Sequence, residues 1–251
     1  METAKLSDDR LLLLGPLQVI RSGAQLTQPP SRKVRALLAY LAMAPRPVSR
    51  ERLCELFWDA ADDPRSELRW CLSKLRPLID GPTTTRLVAD RNQVSIDTHS
   101  LYVDAFFVAR NAQQALTSSS PNDLRSLLAS FRGDFLEGLS AERAPWFENW
   151  LASQRHRFGQ LRQQLLERLS SVLPPESDDR IEVLRQCIEI APFDEAVHIE
   201  LVRVLLRRGL YAEAEQQIDA SITRNQTEGI DPASLKAAFA ARSRAASSSR
   251  C

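Results

Sequence analysis

The chain has 251 residues, of which 43% are hydrophobic and 26% charged, and its formal net charge is +1. This length is sufficient for two modest hydrophobic cores, and the near-neutral charge means that any nucleic-acid site must be a local cluster of cations. The hydrophobic run Leu11–Leu14 ends at Gly15-Pro16, so it is too short to span a bilayer. We therefore predict a cytoplasmic protein without membrane association.

Both strands and helices are predicted in the first half of the chain. Residues 1–10 form a polar leader, Leu11–Ile20 forms strand broken at Gly15-Pro16, and Ser22-Gly23 turns into a short strand around Gln25-Leu26. Apolar residues at helical spacing then predict a helix over Arg32–Met43.

Two further helices and a hairpin follow. Ser49 is a typical N-cap for the second helix, and Asp63-Pro64 begins the third, which is expected to end or kink at about Arg76 because Pro77 lacks an amide hydrogen. The segment 85–97 has two short apolar runs around a polar turn, which predicts a β-hairpin. Strands, three helices and a terminal hairpin in this order predict a winged helix-turn-helix.

The second half is predicted to be all helical. A long apolar periodicity runs from Pro145 to Pro174-Pro175, and 180–190 and 196–222 add three helices, the last two joined at Gly209. The fold class is therefore mainly α, with an N-terminal winged helix-turn-helix (α+β) and an all-α tetratricopeptide-like helical-repeat domain. We expect a leader at 1–10, the winged helix at 11–104, the helical domain at 105–241 and a disordered tail at 242–251.

The third helix carries the predicted function. At about 100° per residue, one side holds an apolar stripe that includes Leu68, Leu72 and Leu75, and cationic and polar side chains occupy the rest. Arginine can bridge guanine O6 and N7, and cations also meet phosphates. The residues predicted to bind DNA here are Arg65, Ser66, Arg69, Trp70, Ser73, Lys74 and Arg76.

Two other segments are predicted to assist. Arg91 and Asn92 lie at the hairpin tip, from which an arginine can enter a minor groove. Arg32, Lys33 and Arg35 of the first helix are expected to reach the DNA backbone. An arginine-lined helix face is also what a merely solvated surface contains, so the order of the elements is what favours DNA.

The motifs of both halves resemble those of the SARP family. In the first half Arg32–Leu41, Val48–Leu53 and Leu72–Arg76 are similar to the family's OmpR-type winged helix. In the second half Gly133–Leu139 and Pro192–Ala196 resemble the bacterial transcriptional activation domain. The resemblance implies an activator that binds direct repeats in double-stranded promoter DNA, as side-by-side copies and thus as a homodimer on DNA, and that recruits RNA polymerase. The loop residues that match the polymerase-contacting position are Asp59, Asp62 and Asp63.

Two other classes of function remain as alternatives. The helical half can serve as a protein-interaction module, with a winged helix that docks proteins rather than DNA. An enzyme is disfavoured because the sequence has no glycine-rich phosphate loop, no nucleophile elbow and no His/Cys group at metal-ligand spacing. No cofactor or metal is predicted.

Overall fold

The computed structural model describes residues 9–141, 143–233, 235–237 and 239–240. The predicted tail at 242–251 and most of the predicted leader lie outside these residues. The described part divides into two compact units, one formed by the residues up to Gln113 with Ala129–Gln160 and one formed by Gln114–Leu128 with the residues from Leu161 onward.

The first ten elements in chain order are seven short strands and three helices. They are β1 (Arg10–Leu12), β2 (Gln18–Arg21), β3 (Ala24–Gln25), α1 (Arg32–Met43), β4 (Val48–Ser49), α2 (Arg50–Trp58), α3 (Pro64–Ile79), β5 (Leu87–Ala89), β6 (Gln93–Ile96) and β7 (Tyr102–Val103). The strands form a four-stranded sheet in the order β3-β2-β1-β7 and a three-stranded sheet in the order β4-β6-β5. This is the predicted winged helix, with β5 and β6 as the wing.

The remaining elements that follow in the chain are helices. They are α4 (Asp104–Thr117), α5 (Pro121–Leu128), α6 (Pro145–Val172), α7 (Asp178–Ile190), α8 (Glu195–Arg207) and α9 (Tyr211–Thr227). The described residues of 233–240 are helical as well. The prediction of a helical second half is confirmed, and none of the helices in the described ranges is long and apolar enough to cross a membrane.

The predicted end of the third helix at about Arg76 is wrong, because α3 continues through Pro77 to Ile79. Leu78 and Ile79 are buried, so ending the helix earlier would expose apolar surface. The guanidinium of Arg21 donates to the carbonyl oxygens of Leu78 (3.0 Å) and Asp80 (2.7 Å) at the helix end. Packing and this cap therefore outweigh the amide hydrogen bond that proline cannot make.

A buried carboxylate joins the winged helix to the segment that follows it. Asp104 is 1% exposed, and its carboxylate accepts hydrogen bonds from the amides of Leu13 (2.7 Å) and Leu14 (3.0 Å). Burial raises the pKa of Asp104, whereas the amide donors and Arg132 oppose that rise. The carboxylate therefore replaces β-sheet partners for two amides that would otherwise be buried without an acceptor.

Residues 129–160 complete the core of the first unit. The amide of Leu136 donates to the carbonyl of Leu13 at 2.8 Å, and Phe135 stacks on Phe158 with ring centroids 5.2 Å apart. Phe147 lies 5.1 Å from Phe57 of α2. The hydrophobic core of the winged helix is therefore continuous with aromatic side chains that come from the second half of the sequence.

In the second unit α7 packs on α8 and α8 on α9, as expected for stacked helical repeats. Gly209 has a φ of 72° at the turn between α8 and α9, a left-handed conformation that glycine adopts without strain. His198 of α8 is 1% exposed; its Nε2 lies 2.9 Å from the carbonyl of Pro192, and its Nδ1 lies 2.9 Å from the amide nitrogen of Gln217. A neutral ring that donates from Nε2 and accepts at Nδ1 satisfies both contacts.

Replacing Asp104 by Asn is expected to lower the free energy of unfolding by about 1–3 kcal/mol, because an amide offers one acceptor oxygen where the carboxylate offers two. Urea denaturation of the full chain measures the loss. Asp134→Asn, which removes an exposed carboxylate from the same unit, serves as the control. Equal stabilities of the two variants would contradict the role given to Asp104.

The second unit is expected to lose stability in acid because burial lowers the pKa of His198. The unfolded chain takes up a proton at about pH 6.5, whereas the folded chain resists it, so stability falls as the pH drops below that value. Thermal unfolding between about pH 8 and pH 5 measures the slope. His198→Gln should flatten this pH dependence, whereas His99→Gln, at an exposed histidine, should keep it; the opposite pattern would refute the assignment.

Candidate nucleic-acid interface

Helix α3 begins at a well-formed cap. The carboxylate of Asp63 accepts a hydrogen bond from the amide of Ser66 at 3.0 Å, and Pro64 occupies the first turn, where its missing amide hydrogen costs nothing. The apolar stripe of the helix is buried, as the periodicity predicts. Its members are Leu68, Cys71, Leu72, Leu75, Leu78 and Ile79.

The opposite side of α3 is exposed along its length, and we call it the α3 ridge. Its members are Arg65, Ser66, Arg69, Trp70, Ser73, Lys74 and Arg76. Glu67 is the sole acidic residue within the helix, so the ridge carries a local excess of positive charge that the whole chain lacks. The side chain of Arg65 keeps 76% of its surface exposed, and Arg69 has no ion pair among the described residues.

The wing lies beside the first half of the ridge. Pairing of Val48 with Val94 joins β4 to β6, which brings the wing to the start of α2. Arg91 and Asn92 are exposed at its tip. The resulting groove has a volume of about 730 Å³ and is lined by Ser49, Arg50, Glu51, Arg65, Leu68, Arg69, Ala89, Asp90, Arg91, Asn92 and Gln93.

Helix α2 contributes two charged residues to this groove, Arg50 and Glu51, that were not predicted from the sequence. Arg50 is fixed to the wing, because its Nε donates to the carbonyl of Asp90 at 2.8 Å and its amide donates to the carbonyl of Asn92 at 2.8 Å. The sequence does show that both residues lie in the first turn of α2, directly after the N-cap Ser49. Their proximity to the wing depends on the pairing of a two-residue strand, which no sequence periodicity indicates.

The second half of the ridge has different neighbours. Arg76 donates to the carbonyl of Leu87 at 3.4 Å and lies 3.7 Å from a carboxylate oxygen of Asp80, so it is partly held against the base of the wing. The ammonium of Lys74 lies 5.7 Å from the ring centroid of Trp70. Trp70 is 48% exposed, so its ring is not part of the hydrophobic core.

The three cations of α1 lie outside the groove. The ammonium of Lys33 donates to the carbonyl of Phe57 at 3.0 Å and lies 5.6 Å from the ring of Trp58. Arg32 donates to the hydroxyl of Ser140, and Arg35 is half-buried beside Glu137 in another depression. The structure therefore does not bring these side chains together with the α3 ridge.

The acidic loop between α2 and α3 is exposed at all three predicted carboxylates. Asp63 is engaged as the N-cap of α3, and Asp59 is the C-cap residue of α2. The side chains of Asp59 and Asp62 make no hydrogen bond or ion pair within the described ranges. Two carboxylates are thus free to meet a partner, and the third has a structural role.

The cysteines near this surface behave as packing residues. Burial raises the pKa of Cys71 to about 12 and also raises the pKa of Cys54, so both remain thiols at neutral pH. The described residues include no group of three or more side chains that could hold a metal ion.

This chain is similar to known proteins both in sequence and in fold. The model of the bacterial transcriptional activator domain matches residues 104–240, more than half of the chain. No curated protein matches significantly. Among solved structures, Mycobacterium tuberculosis EmbR, determined in complex with a low-affinity phosphopeptide, matches with a TM-score of 0.64 and 21% identity over 92% of this chain.

The match with EmbR shows a shared fold, and the chain spans 64% of the length of that protein. The match with the activator-domain model confirms the SARP-type resemblance that the sequence motifs indicate, and this family is one of transcriptional regulators and not an enzyme family. The chain belongs to the bacterial transcriptional activator domain family.

Proposed function

We propose that this chain is a sequence-specific DNA-binding transcriptional activator that inserts α3 into the major groove of promoter DNA. The observation that carries the proposal is the α3 ridge, an exposed cationic helix face beside a wing that also presents Arg91. In winged helices and other helix-turn-helix proteins the helix in this position is the one that enters the major groove.

The ridge contains the chemistry needed for base readout. Arg65 and Arg69 have guanidinium groups that can each form two hydrogen bonds with guanine O6 and N7, and Ser66 and Ser73 can donate or accept. Lys74 and Arg76 supply charge for phosphates, whose neutralisation provides a large share of the affinity for DNA. Asp62 and Asp63 reduce the attraction of the helix start for phosphate, which leaves the exposed guanidiniums as the main cationic contacts.

The wing supplies a second point of contact. Arg91 and Asn92 extend from a turn that the carboxylate of Asp90 stabilises by accepting hydrogen bonds from the amides of Asn92 and Gln93, both at 2.7 Å. An arginine held at a rigid tip is suited to a narrow minor groove, where the negative potential is strongest. We assign no DNA contact to Arg32, Lys33 or Arg35, because Arg32 and Lys33 donate to protein oxygens away from the groove and Arg35 lines a separate depression.

The acidic loop is proposed as the surface that meets RNA polymerase. Asp59 and Asp62 are exposed at the turn that leads into α3, so a bound promoter would leave them close to the DNA and accessible to protein. We also propose that copies of the chain bind side by side as a homodimer on direct repeats. This arrangement rests on the resemblance to the SARP family.

The variant Arg69→Ala is expected to bind its DNA site about 5- to 150-fold more weakly, which corresponds to the loss of one bidentate base contact. Fluorescence anisotropy with a duplex selected by the protein from a random pool measures this at fixed salt. Arg110→Ala removes an exposed arginine of α4 and serves as the charge-matched control. If both variants bind like the wild type, α3 is not the reading helix.

The double variant Asp59→Asn/Asp62→Asn is expected to bind DNA at least as tightly as the wild type, because two negative charges near the phosphates are removed, and to lose activation. Both carboxylates are exposed and neither caps α3, so the fold should be unaffected. Transcription in vitro with purified RNA polymerase, combined with anisotropy on the same promoter, separates the two effects. Activation equal to that of the wild type would exclude this loop as the polymerase contact.

A further inference from the structure

The groove between α3 and the wing contains acidic as well as basic side chains. Arg50, Arg65, Arg69 and Arg91 line it together with the carboxylates of Glu51 and Asp90. The Asp90 carboxylate is occupied by two amides of its own turn, and these hydrogen bonds lower its pKa. Among the described residues no backbone amide donates to the carboxylate of Glu51. This carboxylate is therefore available to a ligand that enters the groove.

Glu51 is aimed at the first arginine of the ridge. Its Oε1 lies 3.9 Å from Nη2 of Arg65, and the two side chains keep 79% and 76% of their surface exposed. An ion pair this long and this exposed contributes little to the stability of the fold. Its effect is instead on the guanidinium, because Arg65 is drawn towards α2 while most of its five N–H donors stay available.

We infer that Glu51 is a specificity-determining residue of the proposed DNA-binding site, acting as a positioning residue for Arg65 and as a barrier to phosphate. This inference rests on the proposed function. A phosphate that settled on Arg65 would come within a few ångströms of the Glu51 carboxylate and be repelled. A base edge carries no net charge and avoids this repulsion, so the pair favours base readout over contact with the DNA backbone.

The negative charge of Glu51 also lies in the first turn of α2, where the helix dipole favours acidic residues. A purely structural role of that kind affects stability and leaves DNA selectivity unchanged. The two roles are therefore separable by measuring selectivity directly. Glu55 provides a matched control, because it lies one turn later on α2, pairs with Arg52 at 3.2 Å and does not line the groove.

The test compares wild type, Glu51→Gln and Glu55→Gln on two duplexes: one carrying the site that the wild type selects from a random pool, and one with the same bases scrambled. Glu51→Gln should bind the scrambled duplex about tenfold more tightly at low salt and change little on the selected one. For Glu51→Gln on the scrambled duplex, the slope of log K against log salt concentration should become more negative by about one, as for one more neutralised phosphate. Glu55→Gln should match the wild type in both respects.

The same substitution in the Arg65→Ala background tests the positioning role. Without Arg65 to orient, Glu51→Gln should change the ratio of selected to scrambled affinity much less than it does in the wild type. An equal change in both backgrounds would contradict coupling between the two residues. A selectivity ratio that is the same for Glu51→Gln, Glu55→Gln and wild type would overturn the inference while leaving the proposed function intact. Failure of the wild type to bind any duplex at low salt would overturn both.

Discussion

The burial of one side of α3 is the constraint on which the interface depends. Leu68, Cys71, Leu72 and Leu75 occupy one arc of the helix, and their removal from water fixes the rotation of the helix about its axis. The basic side chains occupy the rest of the helix circumference, so burial of the apolar arc leaves them facing outward. The same contacts that stabilise the winged helix therefore create the surface proposed to meet DNA.

Local signals in the sequence predict the elements well and their long-range neighbours poorly. Ser49 and Asp63 specify the starts of α2 and α3, because a cap depends on residues three positions apart. The helix end predicted from Pro77 is wrong, because the actual end of α3 is stabilised by Arg21, which lies far away in the sequence. The groove residues Arg50 and Glu51 are missed for the same reason, since only the pairing of β4 with β6 places them beside the wing.

The extent of the first unit can likewise be predicted from the sequence only where local signals define it. Its winged-helix elements can be recognised from hydrophobic periodicity and turns, yet Phe135 and Phe147 belong to its core although they follow two helices of the second half in sequence. Asp104 shows the physical basis of this integration, since its buried carboxylate satisfies amides of a segment about ninety residues earlier. Positive charge is organised locally as well: a chain of net charge +1 concentrates cations on one helix face and one turn.

The most direct test of the central claim is a structure of the chain bound to a duplex that it has selected. We expect α3 to lie within the major groove, with the guanidiniums of Arg65 and Arg69 at hydrogen-bonding distance from base edges and Arg91 at the adjacent minor groove. A complex in which α3 faces solvent or another protein, with the DNA held elsewhere on the chain, would contradict it.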